Sequence, residues 1–167
     1  MTPLGLGKRS LEIIKTPKGK NSLRYVWKHR DPLRTAFNFL IIWISKYVPS
    51  MEFKRDLLGL TKMKLGKNVS VGLAVVFDIF YPELIEIGEN SIIGYNTTIL
   101  AHEFLIDELR TGHVKIGKNV MVGANCTILA GVEIGDGCTV SAATLVDKSI
   151  PAESFAKGNP MVVKKKR

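Results

Sequence analysis

The chain has 167 residues, with 24 Lys and Arg against 15 Asp and Glu for a net charge of +9, and two cysteines. That length holds one core and little more, and so few cysteines exclude a disulfide framework. The charge is uneven: residues 1–34 carry nine Lys or Arg against Glu12 and Asp31, whereas residues 35–156 carry ten against thirteen acids. Nucleic-acid binding needs an organised basic face, and these bases lie in a Gly/Pro-punctuated stretch, so no nucleic-acid partner is expected.

Residues 1–30 read as a basic arm, solvated or in contact with an anionic membrane or cofactor. They lack the uninterrupted apolar core and small-residue cleavage site of a signal peptide, so a cytoplasmic protein is expected. Residues 31–64 read as a helical cap. Asp31 suits an N-cap with Pro32 at the first helical position, and Pro49 ends the segment. From Phe37 to Val48 the sequence is apolar on nearly every face, yet this run falls short of the roughly 20 residues that span a bilayer. A buried helix is expected, shielding the open end of the following sheet, whose unpaired edges would invite association. The alternative lays residues 1–48 in a membrane interface as a peripheral contact. Ser50 and Gly59 bound a second short helix.

From Leu65 to Pro151 the chain repeats every six residues. Aliphatic residues recur at Leu65 and Val71, at Ile87, Ile93 and Ile99, and at Ile116, Val122, Ile128, Ile134, Val140 and Val146. Three places later stand residues that tolerate positive φ: Asn68, Asn90, Asn96, Asn119, Asn125, Gly131 and Gly137. A period of six joins a short extended run to a tight corner. Glycine meets little penalty in the left-handed region, and asparagine compensates through local hydrogen bonds. Three such sides close one turn of a parallel β-helix. The fold class is therefore all-β, with coils at 65–82, 87–104, 116–133 and 134–151 in a domain spanning 65–157. The inward fifth position is small or β-branched (Ser91, Thr97, Cys126, Cys138 and Thr144 among others), so both cysteines are expected as buried thiols.

The runs 87–96 (IGENSIIGYN), 116–125 (IGKNVMVGAN) and 134–143 (IGDGCTVSAA), closed by Gly158-Asn159-Pro160, carry a resemblance. Over about residues 60–163 the chain resembles the hexapeptide-repeat acyltransferases, in their sugar and maltose O-acetyltransferase branch. That resemblance implies a left-handed β-helix, a homotrimer and an active site between neighbouring subunits. It also implies acetyl-CoA as co-substrate, a sugar-like hydroxyl acceptor and no metal. The chain is too short for the extra nucleotide-binding domain of repeat-bearing nucleotidyltransferases.

His102 follows Ile99 by three residues and so is expected at a corner, where histidine is one of the few other residues enriched in the left-handed region. Directly after it, loop 103–115 interrupts the hexads and can wall a site. In the acetyltransferase branch a histidine just before this segment is the general base, which places that role on His102. A neutral imidazole can take the hydroxyl proton as the oxygen attacks a thioester. Glu103 is the second catalytic candidate, orienting the imidazole or binding acceptor, and Arg110 and His113 are candidate substrate contacts. For the donor, the resemblance implies contacts at Ala124 and Ala142, which stack one coil apart, at Met121, where many relatives have tryptophan, and at Lys148. The basic tail, 158–167, offers Lys165 to a phosphate. It departs from the family at Val162, where relatives often have a basic residue.

Three rival readings use the same scaffold. A carbonic anhydrase would need three histidines about a metal, but only His102 and His113 lie in the repeat. The others are an acyltransferase using an acyl carrier protein or an amine acceptor, and a non-catalytic assembly subunit.

Overall fold

The computed structural model describes residues 7–166. Short parallel strands stack into three faces of a prism. The first face holds Lys64–Leu65, Ile85–Ile87, Val114–Ile116 and Glu133–Ile134. The second holds Ser70–Val71, Ile92–Ile93, Met121–Val122 and Thr139–Val140, then Ser154–Lys157 and Val162–Lys165. Val76–Phe77, Thr98–Ile99, Thr127–Ile128 and Leu145–Val146 form the third. The register puts like hexad positions on one another, as in Val71 on Ile93, Ile93 on Val122 and Val122 on Val140. Their side chains fill the bore, and the fifth-position residues Ser91, Thr97, Cys126, Cys138 and Thr144 are also buried.

Every Asn and Gly corner read from the repeat has positive φ, from Asn96 at 54° to Gly131 at 76°. Stacked asparagines join the coils, with Asn90 Nδ2 donating to Asn119 Oδ1 at 2.8 Å and Asn96 Nδ2 to Asn125 Oδ1 at 2.9 Å. Ala74 and Ala143 also take the left-handed conformation, at 59° and 57°. There the neighbouring turns of the stack, rather than the residue type, impose it.

Helix α1 (Ser22–Tyr25) leads to α2 (Pro32–Ser45), capped by the Asp31 carboxylate, and to α3 (Met51–Gly59), capped by the Ser50 hydroxyl. Leu58 of α3 and Ile42 of α2 join the core cluster. Buried Lys54 sends its ammonium to the carbonyls of Val71 and Gly72, each at 3.0 Å, in the first coil. The two helices thus cover that end of the prism.

Four expectations need correction. Helix α2 is not buried: it turns Thr35, Asn38, Ile41, Ile42 and Ser45 inward and leaves Leu33 (82%), Phe39 (53%), Leu40 (50%) and Trp43 (50%) exposed. It lies against the prism along one narrow stripe, too thin to cover a helix that is apolar all round. The described part of the basic arm is not a solvated tail. Its strand Glu12–Lys15 pairs antiparallel with Glu108–Thr111, and the Ser10 N–H donates to the Gly131 carbonyl at 2.9 Å. Loop 103–115 is largely a hairpin, His102–Phe104 against Glu108–Thr111, and with the arm strand it makes a three-stranded sheet. The C-terminal tail is ordered as well, since Val162–Lys165 returns along Ser154–Lys157; Arg167 lies outside the described residues. In the arm, order comes from backbone pairing with a distant segment, and in the loop and tail from antiparallel pairing within a hairpin, neither of which composition reveals. Among the described residues no helix is long and apolar enough to cross a membrane.

Candidate active site

His102 opens the hairpin at the corner between the third and first faces. Its φ is not positive, so the corner expectation fails: the residue begins an extended strand instead of closing a turn. The imidazole is largely buried, with 12% of its side chain exposed, and Nδ1 bonds the Oδ2 of Asp78, a carboxylate with no exposure. A carboxylate accepts, so Nδ1 donates, and this leaves the lone pair of the neutral ring on Nε2.

Asp78 is held as firmly as it holds. Its Oδ1 accepts the N–H groups of Phe80 at 2.8 Å and Tyr81 at 2.9 Å, while Oδ2 also accepts the N–H of Ala101 at 2.8 Å. With His102 that makes four donors for the roughly four acceptor sites of a carboxylate. Aromatic rings close around the imidazole: Phe104 at 4.3 Å, Phe80 at 5.2 Å and Tyr81 at 6.0 Å between ring centroids. An imidazole so packed has one orientation and one tautomer.

Asp78 was not among the sequence candidates. The available signal was a lone carboxylate inside an apolar run, Val75 to Tyr81, at a break in the hexads. Because Phe77 pairs with Ile99, the residues just past each belong to the same corner, which brings Asp78 to His102.

A cavity of about 290 Å³ adjoins the pair. Phe39, Ile42, Trp43 and Lys46 of the α2 segment line one side, and Val76, Phe77, Asp78, Ile79, Leu100 and His102 the other. Asn38 ties the two sides together, its Nδ2 donating to the Ile79 carbonyl at 3.1 Å.

The remaining candidates are dispersed. Glu103 pairs with Arg9 of the arm and lies 4.0 Å from Arg110, so its bonds run to the arm and hairpin, while Asp78 is the carboxylate on the imidazole. Arg110 is taken up mainly by Glu108, at 2.5 Å. Hydrogen bonds from Lys15 and then Arg110 hold the Glu108 carboxyl below its usual range. His113 is exposed just beyond the hairpin. Ala124 and Ala142 stack at the corner between the second and third faces, where the Ala143 N–H donates to the Ala124 carbonyl at 2.8 Å. A Cβ on Gly123 beneath them would come within 2.5 Å of the Ala142 nitrogen, which fixes glycine there. Met121 is exposed on the second face, Lys148 lies exposed beyond the third-face strand Leu145–Val146, and Lys165 sits in the C-terminal strand. One chain therefore puts the small-residue corner and His102 on different edges of the prism. Cys126 and Cys138 are free and buried, and burial pushes both thiols up, which disfavours them as nucleophiles.

A family model described as the hexapeptide repeat of succinyl-transferase matches residues 113–148. YvoF of Bacillus subtilis strain 168, provisionally named an acetyltransferase, is 52% identical over 144 residues, covering 86% of this chain and 84% of YvoF. SAS0727 of Staphylococcus aureus strain MSSA476, named in the same way, is 53% identical over 153 residues, covering 91% and 95%. Among solved structures, the hexapeptide-repeat acetyltransferase VCA0836 of Vibrio cholerae in complex with acetyl-coenzyme A superposes with a TM-score of 0.68 at 17% identity, over 80% of this chain and 87% of that one. A maltose O-acetyltransferase from Clostridium difficile 630 gives 0.62 at 24% identity, over 81% and 89%. These structural likenesses are of the fold, a left-handed β-helix.

Proposed function

The chain belongs to the hexapeptide-repeat acetyltransferases, and on that premise we propose that it moves an acetyl group from acetyl-CoA to a hydroxyl of a sugar-like acceptor, with His102 as general base. The observation that carries this reading is the imidazole fixed through Nδ1 on the buried Asp78 carboxylate, with Nε2 left to accept a proton. As the acceptor oxygen attacks the thioester carbonyl, its proton passes to Nε2. When the tetrahedral intermediate collapses, the C–S bond breaks and the imidazolium returns that proton to the departing sulfur. Asp78 steadies the transient positive charge and keeps the ring in the productive tautomer. Here Asp78 orients the imidazole, while Glu103 braces the hairpin against the arm.

The donor site belongs to the seam between two protomers of a homotrimer. Ala124 and Ala142 leave backbone accessible to the pantetheine arm, Met121 offers an apolar contact, and Lys148 and Lys165 supply cations for the nucleotide phosphates. Two features support an intersubunit site: Ala124 and Ala142 lie on another edge of the prism than His102, and α2 keeps a wide apolar surface exposed. Arg110, on the hairpin, and His113, just beyond it, are the residues assigned to the acceptor in this reading.

The test is acetyl-CoA-dependent acetylation of a sugar panel by wild type and His102→Ala. The variant should lose about 10²-fold or more in turnover while keeping the wild-type sedimentation and circular dichroism. Wild-type turnover by the variant would remove the mechanism.

A further inference from the structure

The walls of the cavity beside His102 are almost wholly apolar: Phe39, Ile42, Trp43, Val76, Phe77, Ile79 and Leu100. Asp78, His102 and Lys46 are the polar side chains among its lining residues. Asp78 has no acceptor site to spare, because the N–H groups of Phe80, Tyr81 and Ala101 and the imidazole already take up its two oxygens. Among the lining side chains, what remains for a ligand to hydrogen-bond is Nε2 of His102 and the Lys46 ammonium. A pocket shaped for a bare sugar ring would have to match several hydroxyls, each of which costs free energy if buried without a partner. The pantetheine arm of the donor fits no better, since its amides also need partners.

The half-exposed rings of Phe39 and Trp43 on the α2 side of the cavity present apolar surface that a ligand can cover. At roughly 30 Å³ per water-sized unit, the cavity holds about ten non-hydrogen atoms.

Resting on the acetyltransferase reading above, we propose that the acceptor is amphipathic: a glycoside-type hydroxyl compound whose apolar group, of about ten non-hydrogen atoms, lies between α2 and the third face while its hydroxyl meets Nε2 of His102.

Alkyl β-D-glucosides from methyl to octyl, each kept below its micelle concentration, test this with acetyl-CoA as donor and release of the coenzyme A thiol as readout. At full burial kcat/KM should rise about three- to fourfold per added methylene, up to octyl, whose eight carbons still fit the cavity. Trp43→Ser should flatten that gradient, lowering the octyl compound far more than the methyl one. Binding gives a second readout that needs no turnover. In Trp27→Phe protein, Trp43 is the sole tryptophan, and its fluorescence should respond saturably to octyl glucoside and not to methyl glucoside. A flat or falling gradient with turnover intact, or no saturable response, overturns the amphipathic acceptor and leaves the acetyltransferase standing. Acetyl-CoA turnover that His102→Ala leaves at the wild-type rate overturns both.

Discussion

Replacing Asp78 by asparagine changes one buried atom from acceptor to donor, and the cost follows from its four hydrogen bonds. The amide oxygen can serve the N–H groups of Phe80 and Tyr81, or those of Ala101 and His102, but not both pairs. Whichever pair it abandons faces an NH₂ group, donor against donor. A hydrogen bond to a charged partner contributes about 1.5–3 kcal/mol, so losing two in a site without solvent should cost on the order of 3–6 kcal/mol. For a chain of this length that is a fall in melting temperature of roughly 6–24 °C. The catalytic effect has a separate origin. If the NH₂ faces the ring, Nδ1 must accept and Nε2 must carry the hydrogen, the tautomer that cannot take a proton from a hydroxyl; if the amide oxygen faces it, the imidazolium loses the carboxylate that steadies its charge. Turnover should therefore fall about 10²- to 10⁴-fold, with KM for acetyl-CoA nearly unchanged. Urea unfolding and steady-state kinetics on the same preparation read both effects. A variant within threefold of wild-type kcat would refute the assignment of Asp78 to the imidazole. Normal stability would refute the count of its hydrogen bonds.

Three other outcomes follow from buried or paired groups. Lys54→Met keeps the apolar stem but leaves the Val71 and Gly72 carbonyls without their donor, and should lower stability by about 1–3 kcal/mol in urea unfolding. Burial holds the Lys54 ammonium below its usual 10.5, so between the folded value and 10.5 the unfolded chain binds more protons. Wild-type stability relative to Lys54→Met should accordingly rise with pH through that interval, and a falling difference would contradict the burial. The Glu108 carboxyl is depressed by Lys15 and Arg110, so its support for the arm is complete above the ordinary value of 4.5 and is lost as pH falls through the folded one. Hydrogen exchange corrected for intrinsic rates should show residues 12–15 loosening in acid, a transition that Glu108→Gln abolishes. Cys126 and Cys138 should resist a thiol reagent in the native protein and both react in urea; rapid native labelling of either would place it outside the bore.

The repeat was legible because its physics is local. Each corner needs a residue that reaches positive φ, and the Asn and Gly positions from Asn68 to Gly137 advertise it one by one. The caps at Asp31 and Ser50 are local in the same sense. The docked arm is not: Glu12–Lys15 finds its partner almost a hundred residues away, and four residues carry too little pattern to identify the strand they will meet. Composition alone made them a tail.

Asp78 and His102 fall between these cases. Both stand where the hexads break, at 78–84 and again from 101, and both breaks leave the prism at one corner, between the third and first faces. An insertion at a corner is tolerated because the strands on either side keep their register, as Phe77 on Ile99 and Ile87 on Ile116 do. Insertions in successive coils at that corner must therefore lie on one another. A solenoid with a regular bore gathers the insertions made at one corner into a single vertical seam, and a carboxylate in one break is brought to a histidine in the next without any pairing signal between them. Registering the breaks against the repeat, rather than searching the intervening sequence for a motif, is what places Asp78 under His102.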